Sequence, residues 1–256
     1  FDKNSKFGFD ILLNNEANPD PNTQELLFVT DLDSNARVDA SQDEKSVSLT
    51  FSPDGSNNRY ITFTYTLRPG RYQLDLKADF QGIETKKQRF IPLTWMMYIP
   101  QQEKGRDNEL NYTSIYYRFK DDDVEHFKTR NKSKDENESH QTPVEWIAYK
   151  DQFFASVIMP QTPFSTTKMN SKIEPESSPY LKRFSSTVTL PFVNKGENSI
   201  NLDFYFGPNK YRLLKKEYGD KKLHNLVEMG SNIVKWINQG IIVNLFDFLN
   251  KFISNY

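Results

Sequence analysis

The chain has 256 residues, enough to bury one sizeable core or two small ones. Its 33 Lys and Arg nearly balance 34 Asp and Glu, so no global field favours nucleic acid. The absence of cysteine removes disulfides, thiolate metal sites and a cysteine nucleophile together, while leaving the redox compartment open.

The start, Phe1-Asp2-Lys3-Asn4, lacks the basic start and the apolar stretch of a signal peptide. Aromatic residues make up 14% of the chain, which favours a sheet-rich fold. Period-two alternation then dominates the first two hundred residues. It predicts strands over 46–51, 60–67 and 72–80, the last two forming a hairpin through Pro69-Gly70, with a further turn at Pro53-Asp54-Gly55. More strands are predicted over 93–99, 112–120, 144–149, 153–159, 184–190 and 199–206. Many antiparallel strands with one apolar face imply two stacked sheets. Two polar stretches, 120–143 and 165–179, read as long surface loops.

From Phe206-Gly207-Pro208 onward the pattern turns helical. Residues 209–218 predict a helix stopped by Gly219, and Asp220 is the expected N-cap of a second over 221–229. The longest apolar run of the chain, Trp95–Ile99, has five residues, against about 20 for a membrane-spanning helix. The closing segment, Gly240 to Tyr256, carries Asn244, Asp247, Lys251 and Ser254 on one stripe. Ile242, Leu245, Phe246, Leu249, Phe252 and Ile253 fill the rest of the helix. A helix over 241–253 extends only about 20 Å at 1.5 Å per residue, so it can lie along a membrane or pack on protein but cannot span.

Catalytic signals are sparse. His126 and His140 fall in the charged stretch and His224 among polar neighbours, so a solvent-facing placement is expected for all three. Asp31, Asp33 and Asn35 match the first half of a calcium loop, but Ala36 stands where a glycine is needed and Gln42 where a bidentate Glu is needed. Asp121-Asp122-Asp123 reads as a solvated acidic patch. Phosphate-binding glycine motifs and a GxSxG nucleophile motif are missing from the sequence. No metal or other cofactor is expected. Lys215-Lys216 and Lys221-Lys222 form a basic cluster that suits either a solvated face or anionic lipid headgroups. Asn111, Asn131 and Asn137 head glycosylation sequons.

Three blocks carry a family resemblance: Glu145 to Pro160 (EWIAYKDQFFASVIMP), Leu202 to Pro208 (LDFYFGP) and Gly240 to Tyr256 (GIIVNLFDFLNKFISNY). In order and spacing they resemble the periplasmic domain of YidC-type membrane protein insertases of Gram-negative bacteria. The resemblance implies a mainly β fold, a galactose mutarotase-like β-supersandwich of two stacked antiparallel sheets over residues 1–206. A C-terminal helical segment over 207–256 would pack on the sandwich and lead to the membrane. It also implies a transmembrane helix before Phe1, a five-helix membrane core after Tyr256 that holds the insertase groove, and placement at the inner membrane with this domain in the periplasm. Implied partners are the Sec translocon, SecDF, nascent membrane proteins through the core, and the lipid interface.

Two hypotheses follow. The first is a non-catalytic insertase domain whose amphipathic face, Leu245, Phe246, Leu249, Phe252 and Ile253 with Lys251 beside it, meets membrane or partner. The second is a carbohydrate- or peptide-binding sandwich using Trp95, Tyr98 and Trp146 as cleft aromatics. Sugar chemistry would need a general acid and base converging in that cleft, and no histidine lies on a predicted strand.

Overall fold

The computed structural model describes residues 4–13, 20–33, 36–55, 57–87, 89–127 and 135–228. The chain divides into two compact units, Phe1–Pro208 and Asn209–Tyr256.

Among the described residues, the first unit contains, besides a 3-10 turn over Thr23–Glu25, thirteen strands and one short α-helix. In chain order they are β1 (Lys6–Phe9), β2 (Lys45–Phe51), β3 (Tyr60–Leu67), β4 (Gln73–Gln81), β5 (Phe90–Pro100), α1 (Arg106–Tyr112), β6 (Ser114–Phe119), β7 (Val124–His126), β8 (Glu136–His140), β9 (Val144–Lys150), β10 (Phe154–Pro160), β11 (Thr166–Ile173), β12 (Tyr180–Pro191) and β13 (Glu197–Pro208). They form a five-stranded sheet in the order β1-β5-β12-β11-β8 and an eight-stranded sheet in the order β2-β3-β4-β13-β10-β9-β6-β7. Every pairing is antiparallel. The mainly β architecture of two antiparallel sheets is thus as expected.

Alternation explains how the sheets stack. In β2 and β3 the outward hydroxyls pair across the ladder, Ser46 with Thr66, Ser48 with Thr64 and Thr50 with Thr62, at 2.8, 3.0 and 3.1 Å. The alternate residues Ile61 and Phe63 point into the core. Gly70, at φ +67°, supplies the left-handed position of the β3–β4 turn. Between the sheets, Phe9 meets Phe80 edge-on at 5.2 Å, and Phe28 stacks on Phe63 at 4.9 Å. Such aromatic pairs add about 0.5–1.5 kcal/mol each beyond the area they bury.

Several expected boundaries change. The polar stretch 165–179 contains β11, with Thr167, Met169 and Ser171 buried and Lys168, Asn170 and Lys172 exposed. Its alternation is complete but carried by small polar residues, and β12 and β8 pair with it on either side. The stretch 120–143 contains β7 and β8, so His126 and His140 lie on strands. The strand expected from residue 112 begins at Ser114, because α1 precedes it and ends where the Thr113 hydroxyl donates to Glu109 O at 2.8 Å. β13 runs through Gly207 to Pro208, past the expected break.

In the second unit, the helix expected over 209–218 is α2 (Tyr211–Tyr218). The next segment is a 3-10 turn over Leu223–Leu226. Its N-cap is Lys222 in left-handed conformation, with no side-chain cap, in place of a helix capped by Asp220. Lys215 and Lys216 occupy the last turn of α2, where cations complement the helix dipole, and Lys215 Nζ sits 5.5 Å from the Tyr211 ring centre. Leu245, Phe246, Leu249, Lys251, Phe252 and Ile253 lie outside the described residues.

Candidate functional site

The three candidate cleft aromatics occupy three different faces. Trp95 points between the sheets from β5 and is 2% exposed. Its ring stacks on Tyr149 of β9, with centroids 3.8 Å apart and planes 11° from parallel. Tyr98, three residues on, points from the opposite face of β5. There it packs against Tyr180 at 5.0 Å and carries the Arg183 guanidinium over its ring at 5.8 Å. Trp146 is fully buried on the face of β9 opposite Ile147 and Tyr149. No common cleft unites them.

Tyr149 fixes the position of Trp95. Its hydroxyl lies 2.9 Å from Trp95 O, to which it donates, and 2.8 Å from Ser186 Oγ of β12, so one phenol ties the eight-stranded sheet to the five-stranded one. Burial drives its pKa well above the usual tyrosine value, and the residue stays a neutral donor.

Beside Trp95 the core stops short and leaves a hollow of ≈ 240 Å³. Its walls are Phe7 from β1, Tyr65 from β3, Leu74 from β4, and Phe204 and Phe206 from β13, with Ser5, Lys6 and Gln24 completing the lining. Phe7 meets Phe204 edge-on at 5.2 Å, and Phe204 and Phe206, two residues apart on one strand face, stack at 5.6 Å. Lys6 and Gln24 are exposed, so the hollow opens to water on their side. Desolvation raises the Tyr65 pKa. Two buried polar atoms of the lining residues have no hydrogen-bond partner in the structure, Trp95 Nε1 and Ser5 Oγ. Sequence reasoning identified Trp95 but missed Ser5, Phe7, Tyr65, Leu74, Phe204 and Phe206. Alternation marks them as inward-facing, but only the stagger of strand ends decides which inward residues lack a partner above them.

At the β13 end of this region, Gly207 is required by crowding. A Cβ there would lie 2.6 Å from Tyr205 Oη and 2.8 Å from Tyr72 Cβ. The Tyr205 hydroxyl folds past it to donate to Pro208 O at 2.7 Å, and Phe206 N donates to Tyr72 O at 2.9 Å.

The histidines do not gather. His126 stacks on Tyr116 at 4.9 Å. His140 Nε2 lies 3.1 Å from Glu138 Oε2, which also accepts from the Tyr117 hydroxyl at 2.6 Å. That pair links the edge strand β8 to β6 and does not line the hollow beside Trp95. His224 meets the edge of Tyr211 within the second unit. Among the described residues no cluster of His, Asp or Glu could hold a metal, and no helix is long and apolar enough to cross a membrane.

These features define an antiparallel β-sandwich domain with an apolar recess beside Trp95. The family model described as the YidC periplasmic domain matches residues 4–243, and the chain belongs to that family. A membrane protein insertase YidC from Parabacteroides distasonis is 38% identical over 100% of this chain and 39% of its own length. One from Bacteroides fragilis is 32% identical over 81% and 34%, and one from Amoebophilus asiaticus 33% over 92% and 39%. The chain therefore spans about two fifths or less of these relatives. Among solved structures, the Slr1438 protein from Synechocystis sp. PCC 6803 aligns with a TM-score of 0.44 at 13% identity, over 79% of this chain and 78% of that one. A galactose mutarotase related enzyme from Lactobacillus acidophilus aligns at 0.37 and 6% identity, over 70% of each.

Proposed function

We propose that this chain is the non-catalytic periplasmic part of a membrane protein insertase of the bacterial inner membrane, assisting insertion and folding of membrane proteins and offering a contact platform for the Sec translocon and SecDF. The observation that carries this reading is the family match across residues 4–243, together with insertase relatives that align over all or most of the chain. The sandwich supplies a rigid body, and the sequence beyond it supplies the attachment. In this reading the stripe Leu245, Phe246, Leu249, Phe252 and Ile253 enters the lipid interface or packs on a partner, and Lys251 faces headgroups or water. Lys215, Lys216, Lys221 and Lys222 add attraction to an anionic surface, on the order of 1 kcal/mol per residue close to it.

The test is complementation of an insertase-depleted strain by the full-length protein. Phe246→Asp with Leu249→Asp is expected to slow growth and to reduce crosslinking to Sec components. Growth and crosslinking at wild-type level would refute the role given to the stripe.

A further inference from the structure

Exposed aromatic side chains are unevenly spread over the sandwich. Among the described residues they are Tyr72, Phe90, Tyr112, Phe153 and Phe154, and all but Phe90 stand at one end of the eight-stranded sheet. Register places them there. Phe154 begins β10 opposite Pro208, the last residue of β13. Phe206 N donates to Tyr72 O, so Tyr72 flanks the same strand end on the β4 side. Ala155 lies opposite Lys150 and Lys150 opposite Ser114, so Tyr112 precedes β6 at the same level. β4 and β6 are four strand spacings apart in the sheet, so the rings mark a rim about 19 Å long.

We infer that this rim rests in the lipid interface of a bilayer, with the Phe153 and Phe154 rings at the acyl boundary and Tyr72 and Tyr112 among the headgroups. The inference rests on the insertase reading and adds to it a second, separate lipid contact on the sandwich itself.

The path of the chain identifies the occupant. The chain leaves the sandwich at Pro208, inside this rim, and the sequence that follows includes the stripe proposed to enter the lipid interface. Relatives that are named as membrane protein insertases carry most of their length outside the matched part. Shape and chemistry agree. The rings stand on turns and strand ends, and tyrosine joins an apolar body to a polar tip, the combination enriched where hydrocarbon meets water. Asp151 Oδ1 accepts from Phe153 N at 2.7 Å and from Phe154 N at 2.6 Å, so the turn presents both rings already ordered. Arg71, exposed beside Tyr72, offers a cation to lipid phosphate. The turns at the opposite end of the sheet expose Asp54, Lys120, Asp121, Gln161, Lys195 and Glu197, with Val193 as the apolar exception. Seating that end in lipid would desolvate charge.

The experiment uses the 256-residue chain, which has no cysteine, and vesicles of phosphatidylethanolamine and phosphatidylglycerol. A nitrobenzoxadiazole label on Phe153→Cys is expected to brighten and shift to the blue when vesicles are added, while the same label on Lys195→Cys stays as in water. Phe153→Ser with Phe154→Ser is expected to weaken vesicle binding about tenfold, since each ring has about half its surface left to bury. Leu27→Ser with Val29→Ser removes side chains that are more exposed, beside the edge strand β2, and is expected to leave binding unchanged. If the double serine variant at the rim does not fold, the two labels carry the test. In the full-length protein in native membranes, benzoylphenylalanine in place of Phe153 is expected to capture lipid. The proposal is overturned if the chain does not bind vesicles, if the label at 153 stays as in water, if the two double variants weaken binding equally, or if the photoadduct is a protein. Binding with a silent label at 153 removes the rim contact alone, and the insertase reading is then still judged by complementation.

Discussion

Lys182 gives the packing of the sandwich a measurable pH signature. Its side chain lies on the inner face of β12 at 5% exposure, and Nζ donates to Thr113 O at 2.7 Å. Burial lowers its pKa from 10.5 to about 8, and the carboxylate of Glu136 opposes that shift only in part. In the unfolded chain the lysine titrates near 10.4. Between these values the unfolded state holds more protons than the folded one, so stability rises with pH across the window. At about 1.4 kcal/mol per pH unit, the full window corresponds to roughly 3 kcal/mol, and the part between pH 7.5 and 9.5 to about 2 kcal/mol. Tyr117 and Tyr149 act in the opposite direction at higher pH. Both are held above the usual tyrosine value, chiefly by burial, so their stabilising contribution is lost as the unfolded tyrosines ionise above about pH 10. The measurement therefore stops at pH 9.5. Urea unfolding of the wild type and Lys182→Met at pH 7.5 and 9.5 isolates the lysine. The methionine variant leaves Thr113 O without its partner, which offsets the two proteins by a constant. The observable is the change in that offset, about 2 kcal/mol in favour of the wild type at the higher pH. An offset that stays constant to within about 0.5 kcal/mol would refute the claim that burial in the sandwich lowers the pKa of Lys182.

Three further outcomes follow from the same packing. Tyr149→Phe removes the hydroxyl shared by Trp95 O and Ser186 Oγ and is expected to lower unfolding free energy by about 1–3 kcal/mol in urea, with the indole environment changed in near-ultraviolet dichroism. Gly207→Ala forces a methyl against Tyr205 and Tyr72 and is expected to cost about 1–3 kcal/mol by the same assay. Arg118 is 8% exposed and bonds Glu145 at 2.6 Å; Glu145→Gln is expected to destabilise by about 3 kcal/mol, and the double change Arg118→Met with Glu145→Met to recover most of that loss.

Much of the fold was legible because its signal is local. Residues 60–67 and 73–81 alternate, a Pro-Gly turn joins them, and the hairpin forms there. β11 escaped notice because Thr, Ser, Asn and Lys dominate its composition, and a strand with neighbours on both edges needs little intrinsic preference. His126 and His140 likewise lie on strands within a charged stretch, on β7 and β8, which each pair on one side only at a sheet edge. The recess was not legible. It depends on β1 reaching across from the first residues to pair with β5, Phe7 opposite Trp95, and on β13 ending beside Tyr72. Neither relation leaves a pattern in neighbouring residues. The three tryptophan and tyrosine candidates were chosen by residue type, whereas strand parity alone separates Trp95 from Tyr98.

The strand order has a consequence for how the chain must be made. Leu76 faces Leu202, and Leu93 faces Val188, so the centre of each sheet joins early sequence to late sequence. A polypeptide emerging from its amino end would display β4 and β5, each with one open edge, until β13 and β12 arrive. Closure is then a late, collective step that non-local pairing makes slow. Throughout that interval the half-finished sheets are themselves clients in need of protection, a demand placed on the cell by a member of a family whose relatives are named as insertases of other proteins.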